Sequence, residues 1–298
     1  MSLSEHRAAS FPLLPVILLL LSMTSIQAGA SLAKTVFHVI GAPGVTALRL
    51  ALGTIILFLI FKPWRLKFQR NSLIPLFAYG ISLGAMNYLF YMALSRIPLG
   101  IAVALEFTGP LAVAMFSSRR PLDFLWIALV IAGLGFLLPI GDSASALDPI
   151  GILYALGAGV FWALYIIFGQ RAGAGYGAAT VSIGSLIAAL IFFPVGLIQT
   201  GPEILFDVSL LPIAFGIAIL STAFPYTLEM IALTRLPAKT FGTLMSLEPA
   251  LGALSGIIFL NENLTMTQWI ALFCIICASI GSTFSIKRKT KIEKIEIE

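Results

Sequence analysis

The feature that most constrains this chain is that it repeats itself within an almost wholly apolar background. Met92-Ala93-Leu94-Ser95-Arg96-Ile97-Pro98 recurs as Ile231-Ala232-Leu233-Thr234-Arg235-Leu236-Pro237, and Pro110 recurs as Pro249 at the same offset of 139 (98 to 237, 110 to 249). Trp126-Ile127-Ala128-Leu129 recurs as Trp269-Ile270-Ala271-Leu272 with the offset grown to 143 (126 to 269), so the second copy holds four extra residues between the two matches. A duplicated hydrophobic unit is the usual plan of a membrane carrier, with its site between the copies.

Composition narrows the class. Of 298 residues, 59% are hydrophobic and only 10% charged, where a soluble domain carries about 25% charged residues. Mean hydropathy is +1.03. This is an all-α membrane protein in expectation, with no polar stretch long enough for a large soluble domain. The net charge of +5 does not point to nucleic acid, because the basic residues stand in short loops and the tail. Cys274 and Cys277 lie in one apolar span without other thiol or imidazole partners, which reads as small buried side chains rather than a redox or metal site.

A spanning helix needs about 20 mostly apolar residues. Ten candidates run near 12–32, 44–62, 73–94, 98–117, 123–140, 149–169, 179–199, 210–232, 237–260 and 267–286. They are separated by Gly41-Ala42-Pro43-Gly44, Lys62-Pro63-Trp64, Arg119-Arg120-Pro121, Gly141-Asp142-Ser143 and Gly173-Ala174-Gly175. The division is a cytoplasmic tail 1–11, a first five-helix repeat 12–140, a second 149–286, and a cytoplasmic tail 287–298. The start resembles a signal peptide ending at Ala28-Gly29-Ala30, but cleavage there would leave the first repeat incomplete, so 12–32 reads as a retained helix.

Loop charge orients the bundle. With the N-terminus inside, the cytoplasm receives fifteen of the eighteen Lys and Arg, leaving Lys34 and Arg96 outside and Arg49 within a span. Both termini are then cytoplasmic. Five helices per repeat is odd, so the second copy enters from the opposite side and the halves form an inverted pair, a geometry suited to alternating access. Trp64, Trp126 and Trp269 fall at span ends as interfacial anchors, whereas Trp162 does not.

A charge at mid-membrane costs at least ~2.5–3.5 kcal/mol, so each one marks a site. Glu106 sits in the middle of helix 4 and Glu248 in the middle of its repeat partner, helix 9. Glu106 comes four residues before Pro110, and Glu248 directly precedes Pro249. Proline removes a backbone donor, and such breaks survive in a membrane only where protein or water covers the freed groups. Arg49 lies in the first third of helix 2, and Glu229 in the last turns of helix 8. The functional reading is a cation- or proton-binding cavity; the bland alternative is a Glu–Arg pair, Glu106 or Glu248 with Arg49, that only locks the bundle. Gln27, Asn87, Tyr88, Tyr91, Trp162, Tyr165 and Tyr226 are polar or aromatic residues placed to line the same cavity, each with interhelical packing as its alternative. Gly80-x-x-x-Gly84 and Gly252-x-x-x-Gly256 indicate closely packed helices.

At these residues a resemblance becomes specific. Leu247-Glu248-Pro249-Ala250 followed by Phe259-Leu260-Asn261-Glu262-Asn263-Leu264-Thr265 resembles the drug/metabolite transporter superfamily with two EamA-type repeats, except that Asn261 stands where the family usually has Gly. Within it, the segments 25–34, 41–50, 98–110 and 241–246 resemble the bacterial inner-membrane threonine/homoserine exporters. The resemblance covers nearly the whole chain. It implies efflux of small amino acids across the inner membrane, driven by the proton gradient.

The residues themselves accommodate a secondary exporter. There is no G-x-x-x-x-G-K-[ST] loop, so ATP does not drive it directly. A zwitterion needs two opposite partners when taken out of water. Glu106 or Glu248 suits the ammonium, Arg49 the carboxylate, and a substrate hydroxyl would need Asn87, a Tyr or a Thr. A buried carboxyl that binds a proton in competition with the substrate ammonium would supply antiport. No metal or cofactor is expected, and the assembly is a monomer or homodimer. An alternative is efflux of another metabolite or a drug-like cation. An intramembrane enzyme would need a nucleophile–base or metal constellation, and His6 and His38 fall in the tail and an outer loop.

Overall fold

The computed structural model describes residues 13–66, 70–116, 121–137, 148–237, 241, 244–261, 265–267, 269–271, 273, 274, 277 and 278. Among them every regular element is a helix. They are α1 (Leu13–Thr35), α2 (Phe37–Phe61), α3 (Arg70–Leu94), α4 (Leu99–Glu106), α5 (Thr108–Phe116), α6 (Pro121–Leu137), α7 (Pro149–Tyr176), α8 (Thr180–Thr200), α9 (Leu211–Ala218), α10 (Phe224–Arg235) and α11 (Glu248–Leu260). Five apolar helical stretches are long enough to cross a membrane: 13–35, 37–61, 72–94, 149–200 (α7 and α8 in series) and 208–235. The outward face is itself apolar. Ile74, Phe116, Leu153, Leu190, Ile198 and Ile258 are each at least 66% exposed, an arrangement that suits lipid and not water. The two tails, the Arg119-Arg120 pair and the Gly141-Asp142-Ser143 break lie outside the described residues.

The helices pack reciprocally. α3 lies on α7, and α10 on α1; α4 and α5 lie on α7, and α11 on α1; α2 packs on α8 and α4 on α11. Glycines set the close approaches. A Cβ on Gly80 would meet Ile187 at 2.6 Å and one on Gly84 would meet Phe192 at 2.6 Å, while one on Gly252 would meet Val103 at 3.1 Å. Both G-x-x-x-G pairs thus pack helices within the chain.

Three local structures differ from the sequence reading. The second span begins earlier than residue 44: α2 starts at Phe37 and takes His38 into its first turn, with Gly41 (φ 73°) making a kink just before Pro43. Left-handed backbone of this kind needs glycine. Second, Gly173-Ala174-Gly175 is not a break. α7 continues to Tyr176 and ends at Gly177 (φ 59°). Gly173 is there for proximity, since a Cβ would stand 2.6 Å from Thr234 Cγ2. Third, the eighth span is interrupted by a π-helical turn, Ile219–Ala223. Pro225 has no N–H for the Ser221 carbonyl, and the Phe224 amide bonds to Ile219 O instead. Leu220 O, freed in this way, accepts from Ser25 Oγ at 2.7 Å, and Pro225 O accepts from Ser22 Oγ at 3.0 Å. α1 therefore caps the irregular turn, as a bilayer requires.

Asn261 adopts the left-handed conformation (φ 54°) that closes α11, its amide bonded to Gly256 O. Asparagine tolerates that region better than other L-residues, which explains how it stands in for glycine. At one rim, Asp148 caps α7 by accepting from the Ile150 amide at 2.8 Å and pairs with Arg96 at 2.6 Å. The Arg96 guanidinium, and then the Ile150 amide, hold the Asp148 carboxyl below its ordinary range.

Candidate functional site

Both helix breaks arise as the prolines dictate. The fourth span parts at Phe107, so Glu106 is the last residue of α4 and Pro110 falls in the first turn of α5. The ninth parts at a 3-10 turn, Met245–Leu247, so Glu248 is the first residue of α11 and Pro249 follows at once. A proline in a first turn removes a donor that would be unpaired anyway. At the first break the backbone lies directly on α7: a Cβ on Gly159 would stand 2.7 Å from Glu106 O, and one on Gly109 would fall on the Gly159 carbonyl.

Near these breaks lies a partly open cavity of about 30 Å³. Nine of the eleven nominated side chains line it: Gln27, Arg49, Asn87, Tyr91, Glu106, Trp162, Tyr226, Glu229 and Glu248. All nine are buried. Tyr165 stands behind the wall, its hydroxyl donating to Glu229 Oε2 at 3.1 Å. Tyr88 does not join them. Its hydroxyl donates to Gln199 Oε1 at 3.1 Å and its ring stacks on Phe192 at 5.4 Å.

The polar groups are organised around Arg49. Its Nη1 donates to the Tyr91 hydroxyl at 2.8 Å and its Nη2 to the Tyr226 hydroxyl at 3.1 Å. The guanidinium carbon lies 4.4 Å from the Tyr91 ring centre, close enough for a cation–π contact. Tyr226 passes its own proton on to Asn87 Oδ1 at 2.6 Å, Asn87 Nδ2 donates to Leu83 O at 2.6 Å, and the Tyr91 hydroxyl reaches Ser221 Oγ at 3.4 Å. Among the described residues Arg49 makes no salt bridge. The locking Glu–Arg pair considered from the sequence is therefore not formed; tyrosines hold the cation instead.

The carboxylates stand apart. Glu248 Oε1 accepts from Gln27 Nε2 at 3.2 Å. Glu248 Oε2, Gln27 Oε1 and Arg49 Nε are buried with no hydrogen-bond partner among the described residues. Buried polar groups are ordinarily paired, so three unpaired ones around one cavity mark it as a place where something polar binds. Arg49 also lines a smaller cleft between α2 and α9, beside Ile40, Val45, Leu48, Ala214 and Ile217.

Sequence reasoning missed four lining residues, Ile26, Ala30, Met86 and Phe90. Helical spacing would have found them: 86, 87, 90 and 91 make one stripe, from whose centre residue 88 is turned away by about 130° at ~100° per residue. Among the described residues no group of three His, Cys, Asp or Glu is placed to hold a metal ion.

Comparisons agree with this architecture. A model of the EamA-like transporter family matches residues 149–284. The Threonine/homoserine exporter RhtA of Escherichia coli (strain K12) is 62% identical over 284 residues, 95% of this chain and 96% of its own length. The protein of the same name from Salmonella typhimurium (strain LT2) is 61% identical over 96% of each chain. A solved crystal structure superposes with a TM-score of 0.69 over 91% of this chain and 98% of its own, at 18% identity, which shows a shared fold. On this similarity across nearly its full length, the chain belongs to the EamA-like transporter family.

Proposed function

We propose that this protein exports small neutral amino acids, threonine and homoserine among them, across a bacterial inner membrane by proton antiport. The observation that carries the reading is a cavity whose lining holds an unused guanidinium donor, Arg49 Nε, together with an unused carboxylate acceptor, Glu248 Oε2. A zwitterion presents the complementary pair. Its carboxylate accepts from Arg49, which Tyr91 and Tyr226 keep in place. Its ammonium donates to Glu248 and Glu106. The relatives at 62% and 61% identity are threonine/homoserine exporters by name, which supports this substrate class.

In this reading ten helices form two inverted five-helix repeats, 12–140 and 149–286, with both termini in the cytoplasm and the functional unit a monomer or homodimer. The reciprocal packing of α3 on α7 and α10 on α1 supports it, since exchange of the two repeats maps each pair onto the other. Alternating access follows from that exchange. A proton bound on a cavity carboxyl competes with the substrate ammonium. One charge moved through 100 mV gains ~2.3 kcal/mol, roughly a 50-fold concentration ratio.

The test is efflux of threonine and homoserine from loaded cells or inside-out vesicles, with and without an imposed pH gradient, in wild type and Glu106→Gln. Gradient-driven export lost in the variant is the expected result. Undiminished gradient-driven export in Glu106→Gln would remove Glu106 as the coupling group, and absence of export in wild type would reject the substrate class. One observation favours a second reading: three carboxyls face a single guanidinium among the aromatic rings of Phe90, Tyr91, Trp162 and Tyr226. An organic cation suits that lining, and its export in preference to threonine would select that alternative.

A further inference from the structure

Resting on the amino-acid reading above, we infer that Gln27 is the residue that reads the side-chain hydroxyl of the substrate. Threonine and homoserine share a four-carbon skeleton and differ from 2-aminobutyrate only by one hydroxyl, on the third or the fourth carbon. A hydroxyl taken into a buried site needs an acceptor for its proton.

The neutral polar groups of the cavity can be taken in turn. Asn87 is already engaged at both ends, its Oδ1 accepting from Tyr226 and its Nδ2 donating to Leu83 O, whereas a free acceptor is sought. The Tyr91 and Tyr226 hydroxyls accept from Arg49 and donate to Ser221 and Asn87. The indole of Trp162 can only donate. Gln27 remains. It is 1% exposed, it lines the cavity, and its Oε1 is buried without a partner. This assignment differs from the expectation drawn from the sequence, which gave the hydroxyl to Asn87, a Tyr or a Thr.

The neighbours of Gln27 explain why its oxygen is the free end. Glu248 Oε1 takes the Nε2 proton at 3.2 Å, and an amide oxygen turned toward that carboxylate would be repelled. Gly252 keeps the space beside the oxygen open, since a Cβ there would stand 3.3 Å from Oε1. The ammonium has charged acceptors in Glu248 and Glu106, which are stronger than an amide carbonyl. The carbonyl is left for the uncharged hydroxyl. On a flexible side chain, one acceptor can serve a hydroxyl on either carbon.

The measurement is export of threonine, homoserine and 2-aminobutyrate, alone and in competition, by wild type and Gln27→Met. Wild type is expected to favour the hydroxylated pair by roughly 10-fold, the size of one good buried hydrogen bond. Gln27→Met, close in length and without an acceptor, is expected to bring the ratio near unity by losing the hydroxylated substrates while keeping 2-aminobutyrate. Export of 2-aminobutyrate in the variant also reports that the protein has folded. An equal loss of all three in Gln27→Met and in the smaller Gln27→Ala, both present in the membrane at wild-type level, would overturn the assignment and make Gln27 part of the ammonium site. Wild type that exports all three equally would overturn it without any variant and leave the amino-acid reading standing. Wild type that exports none would reject that reading itself, and this assignment with it.

Discussion

Removing one oxygen atom tests the Arg49 network most directly. Tyr226→Phe keeps the ring and deletes the hydroxyl, which both accepts from Arg49 Nη2 at 3.1 Å and donates to Asn87 Oδ1 at 2.6 Å. Both partners are buried, Arg49 at 3% and Asn87 at 3% exposure, so neither regains water easily. A buried donor or acceptor left unpaired costs about 1–3 kcal/mol. Two such groups, with some relaxation of the guanidinium, give a loss of about 2–4 kcal/mol. Tyr91→Phe is the internal control. It removes the 2.8 Å bond to Arg49 and a long 3.4 Å contact to Ser221 Oγ, so about 1–3 kcal/mol is expected and the ring face under the guanidinium stays. Unfolding of the purified protein in micelles should rank wild type above Tyr91→Phe and Tyr91→Phe above Tyr226→Phe. An Arg49 freed on one side also holds a substrate carboxylate less well, and a KM raised roughly 10-fold corresponds to about 1.4 kcal/mol. A double-mutant cycle with Asn87→Leu isolates the Tyr226–Asn87 bond, with a coupling of about 0.5–3 kcal/mol. Tyr226→Phe within about 0.5 kcal/mol of wild type, with unchanged KM and no coupling to Asn87, would refute the claim that these hydroxyls position Arg49.

Two further outcomes follow from local contacts. Gly109→Ala sets a methyl on the Gly159 carbonyl; forced overpacking against backbone costs about 1–3 kcal/mol or more, so the protein should fail to accumulate in membranes, whereas Gly135→Ala, with nothing within 4 Å of the new carbon, should accumulate normally. At the rim, the Asp148 carboxyl is held low by Arg96, so that pair stabilises the fold above the ordinary Asp range, near about pH 3.9, and the contribution fades as pH falls through the depressed value. Arg96→Met should therefore be less stable than wild type at neutral pH and indistinguishable from it in strong acid, as read by unfolding across a pH series; a gap that persists in acid would show that Arg96 acts through packing.

The residues of the site were legible because the membrane makes them so. A charge or an amide in an apolar span must find other polar groups, and Gln27, Arg49, Asn87, Glu106, Glu229 and Glu248 do meet in one cavity. Their pairing was not legible. Opposite charges suggested Glu106 or Glu248 with Arg49, whereas the guanidinium lies between two tyrosines, a choice set by where α3 and the π turn ahead of α10 pack against α2. Glycine misled in one place for a physical reason. Gly173 and Gly175 carry the composition of a turn, but a missing side chain also lets α7 press against Thr234, Met230 and Ser72, and sequence does not distinguish the two uses. The π turn at Ile219–Ala223 was hidden because Pro225 alone predicts only a lost bond, not that Phe224 would reach back to Ile219 or that Ser25 of a distant helix would satisfy the Leu220 carbonyl so released.

Asn87 and Tyr226, bonded at 2.6 Å, stand 139 positions apart, the spacing that relates the two copies of the chain's repeat. By that offset they hold matching places in the repeat. In a homodimer of separate halves, whatever residue stood there would have to pair with its own twin, because a two-fold interface presents identical surfaces. Within one chain that constraint is absent, and a phenol donor faces an amide acceptor. A dimer of first halves would bring two amides together and leave Arg49 without its second hydroxyl, and a dimer of second halves would have no Arg49 to hold. The two halves thus contribute different groups to one hydrogen bond, and neither can take the other's place in it.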